Sequence, residues 1–285
     1  MTDAEAEGVP FTEHYLEDIA YLMGADLEDI KQLAAEVEAE IRDQPNVFGW
    51  QMPDAKGKMV TVAPSAVDPY LRIKPIATAI FGGMFNGMRD QVQFQERLLQ
   101  RLYEINYQYS RMRFRSGAFE LLERLLDKTA YVVTNSAPGA VRDKIHAIST
   151  LLTTDGDPLA AWQNRVIGKA KKYNIDPDFD IRYSGEPMPE SMNIHGLSRP
   201  VLLRRHLYYD VFDHLMDRHD VEWPDITVVG DIFELDLALP LACGARVGLM
   251  VNENTPPYEV GFLEQHERGA VLHDVSEIYG FAYGE

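Results

Sequence analysis

The sequence has a single cysteine, Cys243, and therefore cannot form an internal disulfide. Basic side chains are also scarce: 27 lysines and arginines stand against 45 aspartates and glutamates, so the formal net charge is −18. Such a charge repels phosphodiester backbones, and nucleic acid is not expected as a partner. A small anionic ligand stays compatible with the sequence, because a binding site responds mainly to its local charge.

Long apolar runs are missing as well. No run approaches the roughly 20 residues that span a bilayer, and the acidic start Met1–Gly8 lacks the basic region and apolar core of a signal peptide. We therefore expect a cytoplasmic protein without membrane contact. The length of 285 residues, with 46% hydrophobic residues, is enough for one large or two modest domains.

The N-terminal part of the chain has helical patterns. Residues 1 to about 10 are predicted to be disordered, and helices are predicted over Thr12–Met23 and Asp26–Asp43, with Asp26 as the cap of the second. After a strand at Lys58–Ala63, a helical region is predicted over 76–109, with glycines that can divide its first part into two short helices.

The rest of the chain alternates between strand and helix patterns. Strands are predicted at Thr129–Val133, Arg165–Gly168, Ile226–Gly230, the run that ends at Val251, and Ala270–Leu272. Helices are predicted at Ala118–Leu126, Ala140–Ile148, Pro158–Gln163, Arg199–His219 and before Gly244, while 174–198 form a long connection. This alternation predicts an α/β fold, with helices packed on a parallel sheet.

The stretch Asp225–Asp236 contains the clearest candidate site. Val228 and Val229 suit a buried parallel strand, and this strand stops at Gly230 before two carboxylates, those of Asp231 and Asp236. Carboxylate oxygens at such a strand end suit Mg²⁺, which usually takes one or two of them and keeps several waters. The alternative is an acidic helix start, where carboxylates cap free amides.

Several segments, in their order along the chain, resemble motifs of the haloacid dehalogenase superfamily. Gly230, Asp231 and Asp236 are similar to its acidic fourth motif, and Val132–Ser136 are similar to the second motif, whose threonine or serine binds the transferred phosphoryl group. The resemblance implies a three-layer, Rossmann-like parallel sheet with an inserted helical cap. It divides the chain into an N-terminal helical extension (1–56), the core (57–71 and 114–285) and the cap (72–113).

The resemblance also implies roles for individual residues. Thr134, Asn135 and Arg199 would bind phosphate, with Arg199 in the setting of the family's third-motif lysine and therefore also a catalytic candidate. Lys169, Lys171 and Lys172 are alternatives to Arg199. Asp231 and Asp236 would hold the metal, which implies Mg²⁺ as cofactor and a small phosphorylated molecule or other anion as ligand.

The first motif departs from the family pattern. The family places a nucleophilic aspartate and a second aspartate at the end of the first strand, where this sequence has Ala63 and Ser65. One hypothesis is therefore a phosphate- and Mg²⁺-binding protein whose phosphohydrolase chemistry is lost or strongly reduced.

Two other hypotheses remain open. The first is an active Mg²⁺-dependent phosphohydrolase that acts on a small phosphorylated metabolite, with Asp68 as a displaced nucleophile or, as a weaker substitute, Ser65. The second is a scaffold whose acidic N-terminal helices dock a partner or form a homo-oligomer. In that case the fold would carry no chemistry.

Overall fold

The computed structural model describes residues 2–82, 90–152, 156–180, 182–183 and 186–284. The chain forms two compact units. The helical unit consists of Thr2–Trp50 and Pro64–Arg113, and the α/β unit consists of Gln51–Ala63 and Phe114–Glu285. Most residues of the predicted extension and of the predicted cap belong to the helical unit.

Four α-helices build the helical unit: α1 (Ala4–Met23), α2 (Leu27–Asp43), α3 (Pro69–Phe81) and α4 (Gln91–Asn106). Their apolar faces meet in one core that includes Phe11, Ile19, Ile41 and Ile73. The predicted cap of α2 is confirmed, because the Asp26 carboxylate accepts a hydrogen bond from the Glu28 amide. The predicted glycine break lies mostly in 83–89, outside the described residues.

The predicted disorder of residues 1 to about 10 is wrong. Helix α1 begins at Ala4, and the Asp3 carboxylate caps it by accepting a hydrogen bond from the Ala6 amide at 3.0 Å. Acidic side chains in this first turn interact favourably with the helix dipole and stabilise the helix. One of them, Glu5, also binds a cation 67 residues further along the chain. A local sequence pattern contains no information about such a distant contact.

That cation is Arg72 of α3, which joins three helices of the helical unit. Its terminal nitrogens donate to both Glu5 carboxylate oxygens, at 2.8 and 2.5 Å, and its Nε lies 3.0 Å from Glu38 of α2. The side chain is only 6% exposed, and it also donates to the Ala66 carbonyl. Two carboxylates and a carbonyl therefore compensate a guanidinium that has lost most of its water.

The α/β unit contains six further helices and most of the strands. Strands β1 (Gly49–Pro53) and β2 (Met59–Pro64) pair in a two-stranded sheet and are followed by α5 (Ala118–Arg124), β3 (Val132–Val133), α6 (Pro138–Leu152) and β4 (Val166–Ile167). Next come β5 (Arg182–Tyr183), β6 (Glu186–Pro187), β7 (Ser191–Met192), β8 (Val201–Leu202) and α7 (His206–His219). The chain ends with β9 (Thr227–Gly230), α8 (Ala238–Ala242), β10 (Arg246–Met250), α9 (Pro257–Glu264), β11 (Gly269–Leu272) and α10 (Glu277–Tyr283).

Parallel pairing is the rule among the strands predicted to form the core sheet. Strands β9, β10 and β11 form a parallel sheet in the order β11-β10-β9, with Val247 opposite Val228 and Gly269. Strands β3 and β4 form a separate parallel pair. Because parallel neighbours need a crossover connection, helices α8 and α9 follow directly from the order of these strands. The mixed α/β class with parallel strands is confirmed.

Two predictions in the middle of the chain are wrong. The segment 174–198, predicted as a connection without regular structure, contains β5, β6 and β7. The helix predicted to open at Pro200 begins instead at His206, because Val201 and Leu202 pair with β7 in an antiparallel ladder. Val201 and Leu203 are fully buried there, so hydrophobic burial overrides the local preference for a helix start. Among the described residues, no helix is both long and apolar enough to cross a membrane.

We predict that Arg72→Met destabilises the helical unit by about 2–3 kcal/mol, because it leaves the Glu5 and Glu38 carboxylates partly buried without their cation. The matched control is Arg101→Met, which removes an exposed pair with Glu104 and should leave stability unchanged within error. Urea unfolding followed by far-UV circular dichroism measures both. Equal midpoints for the two variants would contradict a stabilising role for Arg72.

Candidate functional site

The acidic turn after β9 forms the centre of the candidate site. One π-helical turn, Phe233–Leu237, follows the strand and carries two buried acids, Glu234 and Asp236. The Asp236 carboxylate folds back over the strand end and accepts a hydrogen bond from the Ile232 amide at 3.2 Å. Gly230 makes this possible, because a Cβ atom at that position would lie 2.4 Å from the Asp236 Cβ. The close approach requires glycine.

Lys172 is the cation that Asp236 binds. Its Nζ lies 2.7 Å from Asp236 Oδ1, and the two side chains are only 12% and 10% exposed. Burial opposes the charge on Lys172, but the Asp236 carboxylate outweighs this effect and the lysine pKa is raised. Lys172 is therefore protonated at neutral pH. Of the basic residues considered from sequence, Lys172 is the one that binds Asp236.

The turn after β3 packs against the segment that carries Lys172. Thr134 and Ser136 accept backbone hydrogen bonds from Ala170 and Lys169, both at 2.9 Å. The Asn135 side-chain oxygen accepts from the Lys172 amide at 2.8 Å. Three hydrogen bonds thus join the predicted phosphate-binding turn to the segment Lys169–Lys172. The Lys172 side chain extends from this segment to Asp236.

The Thr134 hydroxyl can act as a hydrogen-bond donor to a ligand. Its oxygen accepts a hydrogen bond from the Ser136 amide at 3.1 Å, which leaves the hydroxyl hydrogen to donate elsewhere. Helix α6 starts four residues later, at Pro138, so the amide-rich end of a 15-residue helix follows the turn. A hydroxyl donor and a helix N-terminus together suit an anion.

Arg205 brings the end of β2 to the same place. It is fully buried and donates to three carbonyls: Lys172 at 2.6 Å, Val62 at 3.0 Å and Leu202 at 3.2 Å. Burial lowers the pKa of Arg205 to about 10, so it stays protonated at neutral pH. Ala63, which is also fully buried, directly follows the Val62 carbonyl. Sequence reasoning missed Arg205, since no motif or spacing marks it.

Arg199, the favoured third-motif residue, binds a different acid. Its two terminal nitrogens donate to the two Glu234 oxygens, each at 2.7 Å, and Glu234 is fully buried. This bidentate pair occupies the fork that a phosphate would need. The predicted phosphate and catalytic roles of Arg199 stay predictions. Through Glu234, Arg199 binds the same acidic turn that Lys172 binds through Asp236.

The two candidates from the first motif region, Ser65 and Asp68, belong to the helical unit. Ser65 is buried, and its amide donates to the Phe48 carbonyl. The Asp68 carboxylate accepts a hydrogen bond from the Tyr70 amide at 2.7 Å and caps α3. The interpretation of Asp68–Pro69 as a turn into a helix is thereby confirmed. The nucleophile role of either residue stays a prediction.

Asp231 is the carboxylate best suited to a metal ion. Burial, and then the neighbouring Asp236 carboxylate, raise the pKa of Asp231, so a cation would be needed to stabilise its charge. Asp236 offers less, because Lys172 and the Ile232 amide already bind its two oxygens. The described residues hold no group of three His, Cys, Asp or Glu side chains around a common point. Mg²⁺ usually takes one or two carboxylates and keeps several waters, so Asp231 is the residue that could hold it.

Glu259 of α9 is a second buried acid that sequence reasoning missed. It is fully buried, and no donor of the described residues completes a hydrogen bond to either carboxylate oxygen. Burial raises the pKa of Glu259 well above its ordinary 4.5, Glu234 adds to the shift, and the Phe233 amide and Arg199 only partly oppose it. Burial therefore favours the neutral, protonated form of Glu259 in the folded protein.

We predict that Gly230→Ala destabilises the protein by about 2 kcal/mol, because the new methyl group must displace Asp236 from the strand end. Gly261→Ala is the matched control: this glycine lies in α9, and a Cβ atom there meets nothing within 4 Å. The control should stabilise the protein by about 0.5–1 kcal/mol, since alanine favours a helix. Urea unfolding decides. Similar effects for the two substitutions would contradict a close-approach role of Gly230.

We predict a pH-dependent stability that Glu259 controls. Its folded pKa is raised, so its contribution is fully present below the unfolded value near 4.5 and is lost as pH rises towards the folded value. In that window the free energy of unfolding should fall by about 1.4 kcal/mol per pH unit. Glu259→Gln should remove this slope and be more stable than the natural protein at pH 7.

The matched control for this prediction is Glu264→Gln, because Glu264 lies exposed at the end of the same helix. Denaturant unfolding of the three proteins across the pH range measures the slope. A Glu259→Gln variant with the same slope as the natural protein would refute the buried, protonated state.

Comparison of the sequence with protein-family models and with curated protein sequences gives no match. A functional assignment therefore depends on the residues and contacts of the site itself. Three of those contacts meet at Lys172: its amide binds Asn135, its carbonyl binds Arg205 and its side chain binds Asp236. Arg205 also donates to the Val62 carbonyl of β2.

Proposed function

We propose that the α/β unit is a core of the haloacid dehalogenase type that binds a phosphorylated small molecule and Mg²⁺, and that its phosphohydrolase chemistry is lost or strongly reduced. In this proposal, the parallel strands belong to one three-layer, Rossmann-like sheet. The resemblance in sequence motivates the proposal, and the contacts around the acidic turn support it.

One observation carries the proposal. Lys172 joins the turn after β3, through Asn135, to the acidic turn after β9, through Asp236. Arg205 joins the Lys172 carbonyl to Val62 at the end of β2. The segments that resemble the second and fourth motifs, which lie far apart in sequence, are therefore joined by Lys172, and Arg205 joins the end of β2 to them. This convergence is what a phosphoryl-binding site of that family requires.

Each residue has a chemical role in this site. The Thr134 hydroxyl and the first amides of α6 would donate to phosphoryl oxygens, and the Lys172 ammonium would offset their negative charge. Asp231 would hold Mg²⁺, which supplies further positive charge to the phosphoryl group when bound. Asp236 keeps Lys172 in position through the ion pair at 2.7 Å. Arg199 acts on the same turn only indirectly, through Glu234.

The missing element is the nucleophile. Ala63 follows Val62 at the end of β2, where the family has the aspartate that attacks phosphorus. A methyl group cannot attack the phosphoryl group or bind a metal ion, so no aspartyl-phosphate can form at this position. The remaining groups bind and orient a phosphoryl group, but they provide no covalent route. Binding with little or no turnover follows.

The proposal predicts that the natural protein binds orthophosphate in a Mg²⁺-dependent manner. Lys172→Gln should weaken phosphate binding by roughly tenfold or more, because it removes a charged donor. Asp231→Asn should abolish the Mg²⁺ dependence. The control is Asp217→Asn, an exposed acid on α7, which should change neither. Isothermal titration calorimetry with orthophosphate, with and without Mg²⁺, measures all four proteins.

Two outcomes would contradict this function. If the natural protein does not bind orthophosphate, the proposed phosphate-binding pocket is contradicted. Mg²⁺-dependent hydrolysis of a general phosphate ester, abolished by Asp231→Asn, would instead remove the claim that the chemistry is lost. In the second case, Asp68→Asn would show whether Asp68 is the displaced nucleophile.

A further inference from the structure

Two lysines close to Lys172 in sequence have no role in the proposed phosphate site. Lys169 and Lys171 are exposed, and among the described residues no carboxylate pairs with either of them. They belong to a chain whose formal net charge is −18, with 45 acidic residues available as partners. Two unpaired cations within three residues are unexpected in such a chain. Their position beside the phosphate-binding turn suggests a use for the free charge.

The backbone of the two lysines is unusual too. Lys169 and Lys171 have φ angles of 55° and 47°, in the left-handed region that disfavours side chains with a Cβ atom. Apart from them, Asp220 is the only described non-glycine residue with positive φ. Two such residues flank a single alanine here. A conformation of this kind persists only where the surrounding structure enforces it.

The surrounding turn provides that enforcement. The Lys169 and Ala170 amides bind the Ser136 and Thr134 carbonyls, and the Lys172 amide binds the Asn135 side chain. Gly168 approaches the turn so closely that a Cβ atom would lie 2.5 Å from the Pro138 ring. Contacts with the Thr134–Ser136 turn therefore set the backbone conformation of the segment Gly168–Lys172. Its two exposed lysines precede the largely buried Lys172 by three residues and by one residue.

We propose that Lys169 and Lys171 form a cationic rim at the phosphate pocket and select ligands that carry a second anionic group. The inference rests on the proposed function and specifies its ligand class: a small phosphorylated molecule with another phosphate or a carboxylate beyond the bound phosphoryl group. Lys172 and Thr134 would hold the first group. The rim would act on the second group, because Lys169 and Lys171 are exposed whereas the Lys172 side chain is only 12% exposed.

The size of the effect follows from solvent-exposed electrostatics. A lysine about 4 Å from an anion in water contributes roughly a fivefold change in affinity, and two lysines contribute somewhat more than tenfold. Such exposed charges are screened by salt, whereas the buried Lys172 is screened much less. The preference for a probe with two anionic groups over a probe with one should therefore decline as the ionic strength rises.

The test uses pyrophosphate and orthophosphate as probes, in calorimetric titrations of the full chain with Mg²⁺. The natural protein should bind pyrophosphate roughly tenfold more tightly than orthophosphate. The double variant Lys169→Gly with Lys171→Gly should lose most of this preference and keep its orthophosphate affinity. Glycine accepts positive φ, so the segment retains its backbone conformation and the variant should fold.

Two control variants accompany the double glycine variant. Lys169→Arg with Lys171→Arg preserves the charges and should keep the preference. Lys56→Gln removes an exposed lysine that pairs with Asp178 elsewhere in the α/β unit, and it should change neither affinity. Loss of preference in the arginine variant, or in the Lys56 variant, would contradict a rim defined by the charges of Lys169 and Lys171.

Failure of the rim and failure of the pocket give different results. Equal affinities of the natural protein for the two probes, or an equal loss of both affinities in the double glycine variant, overturn the rim and leave the pocket intact. If the natural protein binds neither probe, the proposed function and the rim are both overturned. Tighter pyrophosphate binding that the double glycine variant retains assigns the preference to other residues and also overturns the rim.

Discussion

The buried ion pair between Lys172 and Asp236 is the interaction on which the α/β unit's candidate site depends. A charge that leaves water loses several kcal/mol of solvation, and each partner of this pair is stable there only because of the other and of the groups around it. Asp236 accepts a second hydrogen bond from the Ile232 amide, and Lys172 is tied through its backbone to Asn135 and Arg205. Removing either charge would therefore disturb three segments of chain at once.

The π turn after β9 distributes charge in a way that a regular helix start would not. It carries Glu234 and Asp236 two residues apart, and each acid binds a different cation: Arg199 for the first and Lys172 for the second. π-helical turns are rare and are often found at functional sites. Glu259 adds a third buried acid, and its burial favours the neutral form. The result is a core with closely balanced charge, sensitive to pH through one carboxyl group.

In the proposed function, the site has groups for binding but lacks a reactive group. Thr134, Asn135, Lys172 and Asp231 offer the donors and the carboxylate that a phosphoryl group and Mg²⁺ would use, whereas Ala63 lies near the end of β2, where the family that the sequence resembles has an attacking carboxylate. Binding and catalysis separate cleanly in such a site, because phosphoryl transfer depends on positioned charge for binding but on a nucleophile for the covalent step. The proposed ligand-binding role follows from what remains.

Local patterns in the sequence indicated strands β2, β3, β4, β9, β10 and β11, and the cap of α2 at Asp26, because burial periodicity and capping involve neighbouring residues. The resemblance to the haloacid dehalogenase motifs grouped Asn135 and Asp236 in one candidate site. Only the tertiary structure decided which cation meets which acid. The contacts Arg199–Glu234, Lys172–Asp236 and Arg205–Val62 join residues 35, 64 and 143 positions apart. Local sequence cannot distinguish Lys172 from Lys171, nor an acidic start like that of α1 from a disordered one, because the partner that stabilises each charge is supplied by a distant segment through packing.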